Sequence, residues 1–228
     1  MRIKRLHSWD LSPKEAIALQ RELATRVDTR TPLRKYELVA GVDVSCNRFS
    51  NILYAGVVVL RADDLSIVET QGVVVETKFP YIPGLLSFRE APALLEALGR
   101  LRRRPDLLVV DGHGIAHPRR LGIAAHIGLW VDIPTVGCAK SRLTGMYSAV
   151  GENPGATRAL SDKDDIIGMA VRTRRRANPL FVSTGHRIDL AGAVRLVQRM
   201  GRGYRLPEPT RQAHLLVNSL RRQNQAFP

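Results

Sequence analysis

At 228 residues and 44% apolar composition the chain can bury a substantial hydrophobic core, which excludes a protein that stays disordered. No apolar run is long enough to span a bilayer, and Met1–His7 lacks the apolar centre of a secretion signal, so no membrane association is expected. The net charge of +14 favours a polyanionic partner, nucleic acid being the simplest. Six of the 35 basic residues are lysine and the rest arginine, whose planar fork grips phosphate in pairs. Cys46 and Cys138 form neither a disulfide framework nor a CxxC metal site, so a cytoplasmic protein with reduced thiols is expected.

Ser12-Pro13-Lys14-Glu15 reads as a capping box with proline at the first helical position. Ala16, Ile17, Leu19, Leu23 and Ala24 then recur at helical spacing up to Val27. Leu38–Val44 predicts a strand interrupted by one carboxylate, Asp43. An aspartate in such a run is disfavoured and costly to bury alone, so a cation, an arginine or hydrogen bonds must compensate it. Leu53–Arg61 and Ile67–Thr77, joined by a polar turn at Asp63-Asp64, complete a predicted antiparallel meander.

Phe79–Leu86 is too proline-rich for regular structure. Ser87–Leu101 predicts a helix with Phe88, Ala91, Leu94, Leu95, Leu98 and Leu101 on its buried face. Ser87 and Glu90 have the spacing of a capping box, but the same helix start would also aim Glu90 at the carboxyl end of the sheet. Leu107–Val110 is a strand buried on both faces, followed by Asp111-Gly112-His113-Gly114 where ligands of open α/β sheets collect. Spacing leaves open whether Asp111 caps a turn or holds a cation.

Gly122–Trp130 predicts a second crossover helix and Pro134–Cys138 a strand parallel to its predecessor. Lys140–Ala159 reads as turn-rich, with an edge strand at Tyr147–Val150, and Asp162–Asp165 as an acidic interruption. Ala170–Arg174 and Leu180–Ser183 are small strands, and helices at Leu190–Met200 and Thr210–Arg222 close the chain.

Three antiparallel strands, then helix, strand, helix and strand, is the order of a ribonuclease H-like α/β fold. One domain over residues 1–228 is expected, a mixed sheet of antiparallel then parallel strands flanked by helices. Its first and fourth strands are neighbours, ~4.8 Å apart. Asp43 and Asp111, if level, share one divalent ion or bracket two. Such a pair in a basic protein suggests a magnesium-dependent phosphodiesterase, the ion clamping attacking and leaving oxygens. Glu90 is the candidate third carboxylate.

His113 and His117 lie four apart, but Pro118 and the glycines argue against one helix presenting both to zinc. His117 is expected to contact phosphate or orient an acidic neighbour, His126 to be a satisfied core residue, and His186 to cap the strand ending at Ser183. A dinucleotide-binding turn at Gly112-x-Gly114 is disfavoured, because His117 occupies the third glycine position and Asp111 would oppose a pyrophosphate. No P-loop occurs, so no nucleotide cofactor is expected.

Pro80-Tyr-Ile-Pro-Gly-Leu-Leu-Ser-Phe-Arg-Glu90, Asp111-Gly-His-Gly-Ile-Ala-His-Pro-Arg119, Lys140-Ser-Arg-Leu-Thr-Gly145, Phe181-Val-Ser-Thr-Gly-His186 and Arg205-Leu-Pro-Glu-Pro-Thr-Arg-Gln-Ala-His214 together resemble the endonuclease V family. The resemblance runs from about Gly41 to His214 with the motifs in the family's order. It implies nicking of DNA at the second phosphodiester bond 3′ to deoxyinosine, leaving 3′-hydroxyl and 5′-phosphate ends, with Mg²⁺ that Mn²⁺ can replace. By resemblance Asp43, Glu90 and Asp111 bind metal, His214 lies beside it, and Lys140 is near the scissile phosphate. Tyr81 matches the wedge that fills the gap left by an extruded base. Gly84, Leu86, Gly112 and Gly137 are expected to bound the base pocket by backbone groups, with Pro83, His117 and Ser141 also on nucleic acid. A monomer is expected. Two other readings stay open, an endoribonuclease acting on inosine-containing RNA and a module that binds inosine without cutting.

Overall fold

A computed structural model describes residues 1–48 and 50–225; residues 226–228 of the expected 1–228 domain lie outside the described residues. Helix α1, Pro13–Ala24, starts at the expected capping box, with Ser12 and Glu15 each bonding the other's backbone. Strands β1 (Leu38–Cys46), β2 (Ile52–Arg61) and β3 (Ile67–Glu76) form the antiparallel meander. Helix α2 (Leu86–Gly99), strand β4 (Leu107–Val110), helix α3 (Ile123–Val131) and strand β5 (Thr135–Ala139) follow in the expected order. Strands β6 (Thr157–Asp162), β7 (Asp165–Val171) and β8 (Leu180–His186) then lead to α4 (Leu190–Arg199) and α5 (Glu208–Gln225).

The eight strands make one sheet in the order β3-β2-β1-β4-β5-β8-β7-β6. β1 is antiparallel to β2 but parallel to β4, which is parallel to β5. Alternation along these strands divides the core. Ala40, Val42, Leu108 and Val110 pack with α2 and α3, whereas Val39, Leu107, Val109 and Val136 pack with α4 on the other face. α1 forms an outer layer against Phe79, Leu85 and Phe88 and against Leu121, Ala125 and Leu129.

The face carrying α5 is shaped by glycine. Gly41, Gly56 and Gly72 sit at paired positions or within two residues of them on β1, β2 and β3. A Cβ on Gly41 would stand 1.9 Å from the Pro209 carbonyl oxygen, one on Gly56 2.8 Å from Val217, and one on Gly72 2.6 Å from Leu220. The missing side chains form the track in which α5 lies.

Several local expectations are corrected. Tyr147–Val150 forms no strand; near it an isolated bridge joins Met146 to Ser161. Its place at the sheet edge is taken by β6, and the acidic stretch Asp162–Asp165 is where the β6–β7 hairpin turns. β7 lies earlier than Ala170–Arg174, and β8 runs on past Ser183 to His186. His186 is therefore a strand residue, its Nδ1 accepting from the Asp28 N–H and its Nε2 3.6 Å from Asp132.

Candidate active site and nucleic-acid pocket

The β1–β4 register pairs Val42 with Val110, and the Asp111 N–H extends it by donating to the Val42 carbonyl at 3.0 Å. The next residues on both strands are Asp43 and Asp111, level and on the face occupied by α4 and α5. Both are nearly buried, Asp43 being 7% exposed. His214, near the start of α5, donates from Nδ1 to Asp43 Oδ2 at 2.9 Å. Asn218, one turn on, donates its amide to His214 Nε2 at 3.0 Å and to the His214 carbonyl at 2.9 Å, which fixes the imidazole. One ligand atom each from Asp43, Asp111 and His214 lie within 4.8 Å of one another.

The residues around this cluster set its charge. Lys140, directly after β5, pairs with Asp111 Oδ2. Lys140 compensates Asp111 both by its charge and by a side-chain hydrogen bond. Burial and the neighbouring Asp43 push Asp111 up to about 6 against the pull of Lys140 and His214. Burial, Asp43 and Asp111 push Glu90 up to about 8, while Arg89 works against them. Glu90 is thus close enough to feel both aspartates, yet it contributes no atom to the 4.8 Å group. Three carboxyl groups short of positive charge are the setting a hard divalent cation satisfies, and oxygen ligands with one imidazole suit it. The residues fit such an ion, and Asp43, Asp111 and His214 form the group that could hold one.

The capping-box alternative for Glu90 does not hold. Ile82-Pro83-Gly84-Leu85 closes a turn through a Leu85 N–H to Ile82 carbonyl bond at 2.9 Å, with Gly84 at φ +80° as a type II turn requires. This turn starts the helix one residue early, with Leu85 at the N-cap. Ser87 falls inside α2, where its hydroxyl meets His126 Nδ1 at 3.2 Å. His126 is wholly buried and bonded also to His7 Nε2 at 2.8 Å, as expected of a core histidine.

Beside the carboxylates lies a pocket of about 240 Å³. Tyr81, Pro83, Gly84, Leu86, Gly112, His117 and Ser141 line it, as do His113 and Leu143. Gly137 does not. It is buried in β5, where a Cβ would stand 2.3 Å from the Gly114 nitrogen, so it lets the Gly112–Gly114 turn pack down. Tyr81 is 71% exposed at the tip of a loop pinned at both ends. Arg89 holds one end, donating to the carbonyls of Phe79 at 2.6 Å and Ser50 at 2.8 Å, and the Gly84 carbonyl is held at the other. His117 is buried and meets the Gly84 carbonyl through Nε2 at 3.0 Å, so its partner is a backbone oxygen and not an acidic side chain. Burial and the nearby Arg119 lower it to about 4, which keeps it neutral.

The roles of Arg89, Asn218 and Gln20 come from the structure and not from the sequence. An arginine directly before the acidic candidate and an asparagine four residues after His214 are the signals the sequence offers. A larger cleft of about 870 Å³ lies at the other end of β1, lined by Arg34, Lys35, Arg61, Arg195 and Arg199. The metal-ligand group found among the described residues is not there but at Asp43, Asp111 and His214.

Level carboxylates at the ends of adjacent parallel strands, within a meander-plus-crossover sheet, define a ribonuclease H-like protein. The endonuclease V family model matches residues 21–215. The endonuclease V of Gloeobacter violaceus is 52% identical over 224 residues, covering 96% of this chain and 91% of that protein. The crystal structure of Streptomyces avermitilis endonuclease V superposes with a TM-score of 0.90 at 38% identity, covering 99% of this chain and 100% of that one. Ciona intestinalis endonuclease V, crystallised with a 24mer DNA containing an inosine followed by a ribo-adenosine, gives a TM-score of 0.81 at 25% identity, covering 92% of this chain and 98% of that one. The chain belongs to the endonuclease V family, and membership makes it a nuclease.

Proposed function

We propose that the protein nicks DNA at the second phosphodiester bond 3′ to deoxyinosine, leaving 3′-hydroxyl and 5′-phosphate ends, in repair of deaminated adenine. The observation that carries this reading is the clustering of Asp43, Asp111 and His214 beside a pocket walled by the Tyr81 loop. The Ciona relative's complex with inosine-containing DNA supports the substrate.

Asp43 and Asp111, with Glu90 at the margin, would hold Mg²⁺, for which Mn²⁺ can substitute. A divalent ion supplies the charge that stabilises attacking and leaving oxygens during phosphodiester hydrolysis. His214 orients Asp43 by the hydrogen bond from Nδ1, and Lys140 keeps a positive charge beside Asp111 for the scissile phosphate. Beside a bound divalent ion Glu90 would be held as the carboxylate, since an opposite charge favours the ionised form. Tyr81 stacks into the gap left by the extruded base, a replacement that needs little ordering because the loop is already pinned. The reading includes a monomer acting in the cytoplasm.

The test is incubation of the protein with end-labelled DNA and RNA duplexes carrying one inosine, each with Mg²⁺ or with chelator. A single nick displaced to the 3′ side of inosine in DNA, present with Mg²⁺ and absent with chelator, is the expected result. Cleavage of the RNA alone, or binding without cleavage, would overturn it.

A further inference from the structure

Gln20 stands out because it is fully buried, lies on the apolar stripe of α1 between Ala16 and Leu23, and does not line the base pocket. Its side chain reaches the base pocket through another residue's backbone. Gln20 Nε2 donates to the Gly84 carbonyl at 3.0 Å and to the Leu121 carbonyl at 2.9 Å. Gln20 Oε1 accepts from Arg119 Nε at 2.5 Å, and Arg119 Nη2 donates to the same Gly84 carbonyl at 2.7 Å. With His117 Nε2 at 3.0 Å, three side chains converge on one backbone oxygen. A carbonyl has two lone pairs, and ordinary loop carbonyls are satisfied by one partner or by water. Three donors, two of them from the segment that follows catalytic-strand residue Asp111, join the wedge-bearing turn rigidly to β4.

We propose that Gln20 is a positioning residue that sets the base pocket and the Tyr81 wedge at a fixed distance from Asp43 and Asp111, and so contributes to discrimination between inosine and undamaged bases. The inference rests on the reading of this site as an inosine-specific nuclease. Its physical basis is the conformation of Gly84, whose φ of +80° only glycine adopts cheaply and which has no side chain of its own to hold it. Without the clamp the turn samples other states, and an extruded base must reorder it at each binding event. That cost falls on recognition. The chemical step at the carboxylates, once substrate is seated, does not bear it.

The test compares wild type with Gln20→Met, which preserves volume but removes every hydrogen bond, and Gln20→Glu, which keeps an acceptor for Arg119 but loses the donor to Gly84. Cleavage of inosine-containing and undamaged duplexes is followed under single turnover with Mg²⁺ across enzyme concentrations. 2-Aminopurine next to the lesion reports unstacking. Both variants are expected to need roughly five- to tenfold more enzyme for half-saturation on the inosine duplex, the worth of one or two hydrogen bonds, with a weaker 2-aminopurine response. Their half-saturation on undamaged duplex and their rate at saturation should stay close to wild type. The double variant of Gln20→Met with Arg119→Lys should lose less than the product of the single losses, because both act on one oxygen. Unchanged selectivity in both variants, or a saturated rate that falls in step with affinity, overturns the positioning role and leaves the proposed function standing. A wild-type protein that fails to cut inosine duplex overturns both. Should Gln20→Met not fold, Gln20→Glu decides, since its carboxylate pairs with Arg119.

Discussion

At the scale of single residues, side chains that are expensive where they stand mark the site. Asp43 and Asp111 are nearly buried among valines and leucines, a placement that costs several kcal/mol per uncompensated charge, roughly the whole margin of a small domain. Tyr81 is the opposite case, a large ring left in water at the tip of a loop fastened by Arg89, His117, Arg119 and Gln20. A ring displayed this way gains nothing for folding, so its removal should cost little stability. We expect Tyr81→Ala to melt like wild type but to lose about tenfold or more of its preference for inosine over undamaged duplex, as the loss of one stacked base would give. Competition binding with the two duplexes measures it, and an unchanged preference would make the ring a bystander.

The elements owe their placement to periodicity where periodicity is strong. The meander, α2, β4, α3 and β5 were legible because runs such as Leu107–Val110 and the Phe88–Leu98 stripe meet a core on at least one whole face. β6 was not legible, since it is a sheet-edge strand with Arg158, Ser161 and Asp162 along a mostly unburied length. Spacing alone left Glu90 open between a capping box with Ser87 and a place at the site, because the type II turn that supplies the helix start before Ser87 is a matter of backbone conformation. Asp43 and Asp111 could be found from their apolar neighbours. His214, 171 residues from Asp43, could be placed only through the resemblance of its motif. Gln20 was not legible, because apolar spacing carries no information about a polar residue on the stripe.

The seating of α5 offers a test at this scale. A methyl group at Gly41 meets the Pro209 backbone, which cannot yield without moving the helix that carries His214. At Gly72 the obstacle is the flexible end of Leu220. Gly41→Ala should therefore lose about 2 kcal/mol or more of stability, with most of the nicking activity, while Gly72→Ala keeps most of both. Urea unfolding and nicking rates on the same preparations check this. Equal effects at the two positions would show that α5 does not depend on close approach at β1.

In the whole molecule these pieces meet at one end of the sheet. Strand register brings the carboxylates together, glycines admit α5 and its histidine, and α1 fastens the pocket turn from outside the sheet. The +14 charge supplies long-range attraction to a phosphate backbone without selecting any site on it. In the proposed function, selection falls to the pocket and the Tyr81 loop, and cutting to the carboxylate pair. The central claim is that Asp43 and Asp111 jointly hold the divalent cation on which cutting depends. Its most direct measurement is the single-turnover nicking rate of Asp43→Asn and Asp111→Asn on inosine-containing duplex with saturating Mg²⁺. The account predicts a loss of about a thousandfold or more in each, several kcal/mol of transition-state stabilisation, with duplex binding retained. A variant that nicks at the wild-type rate would contradict it.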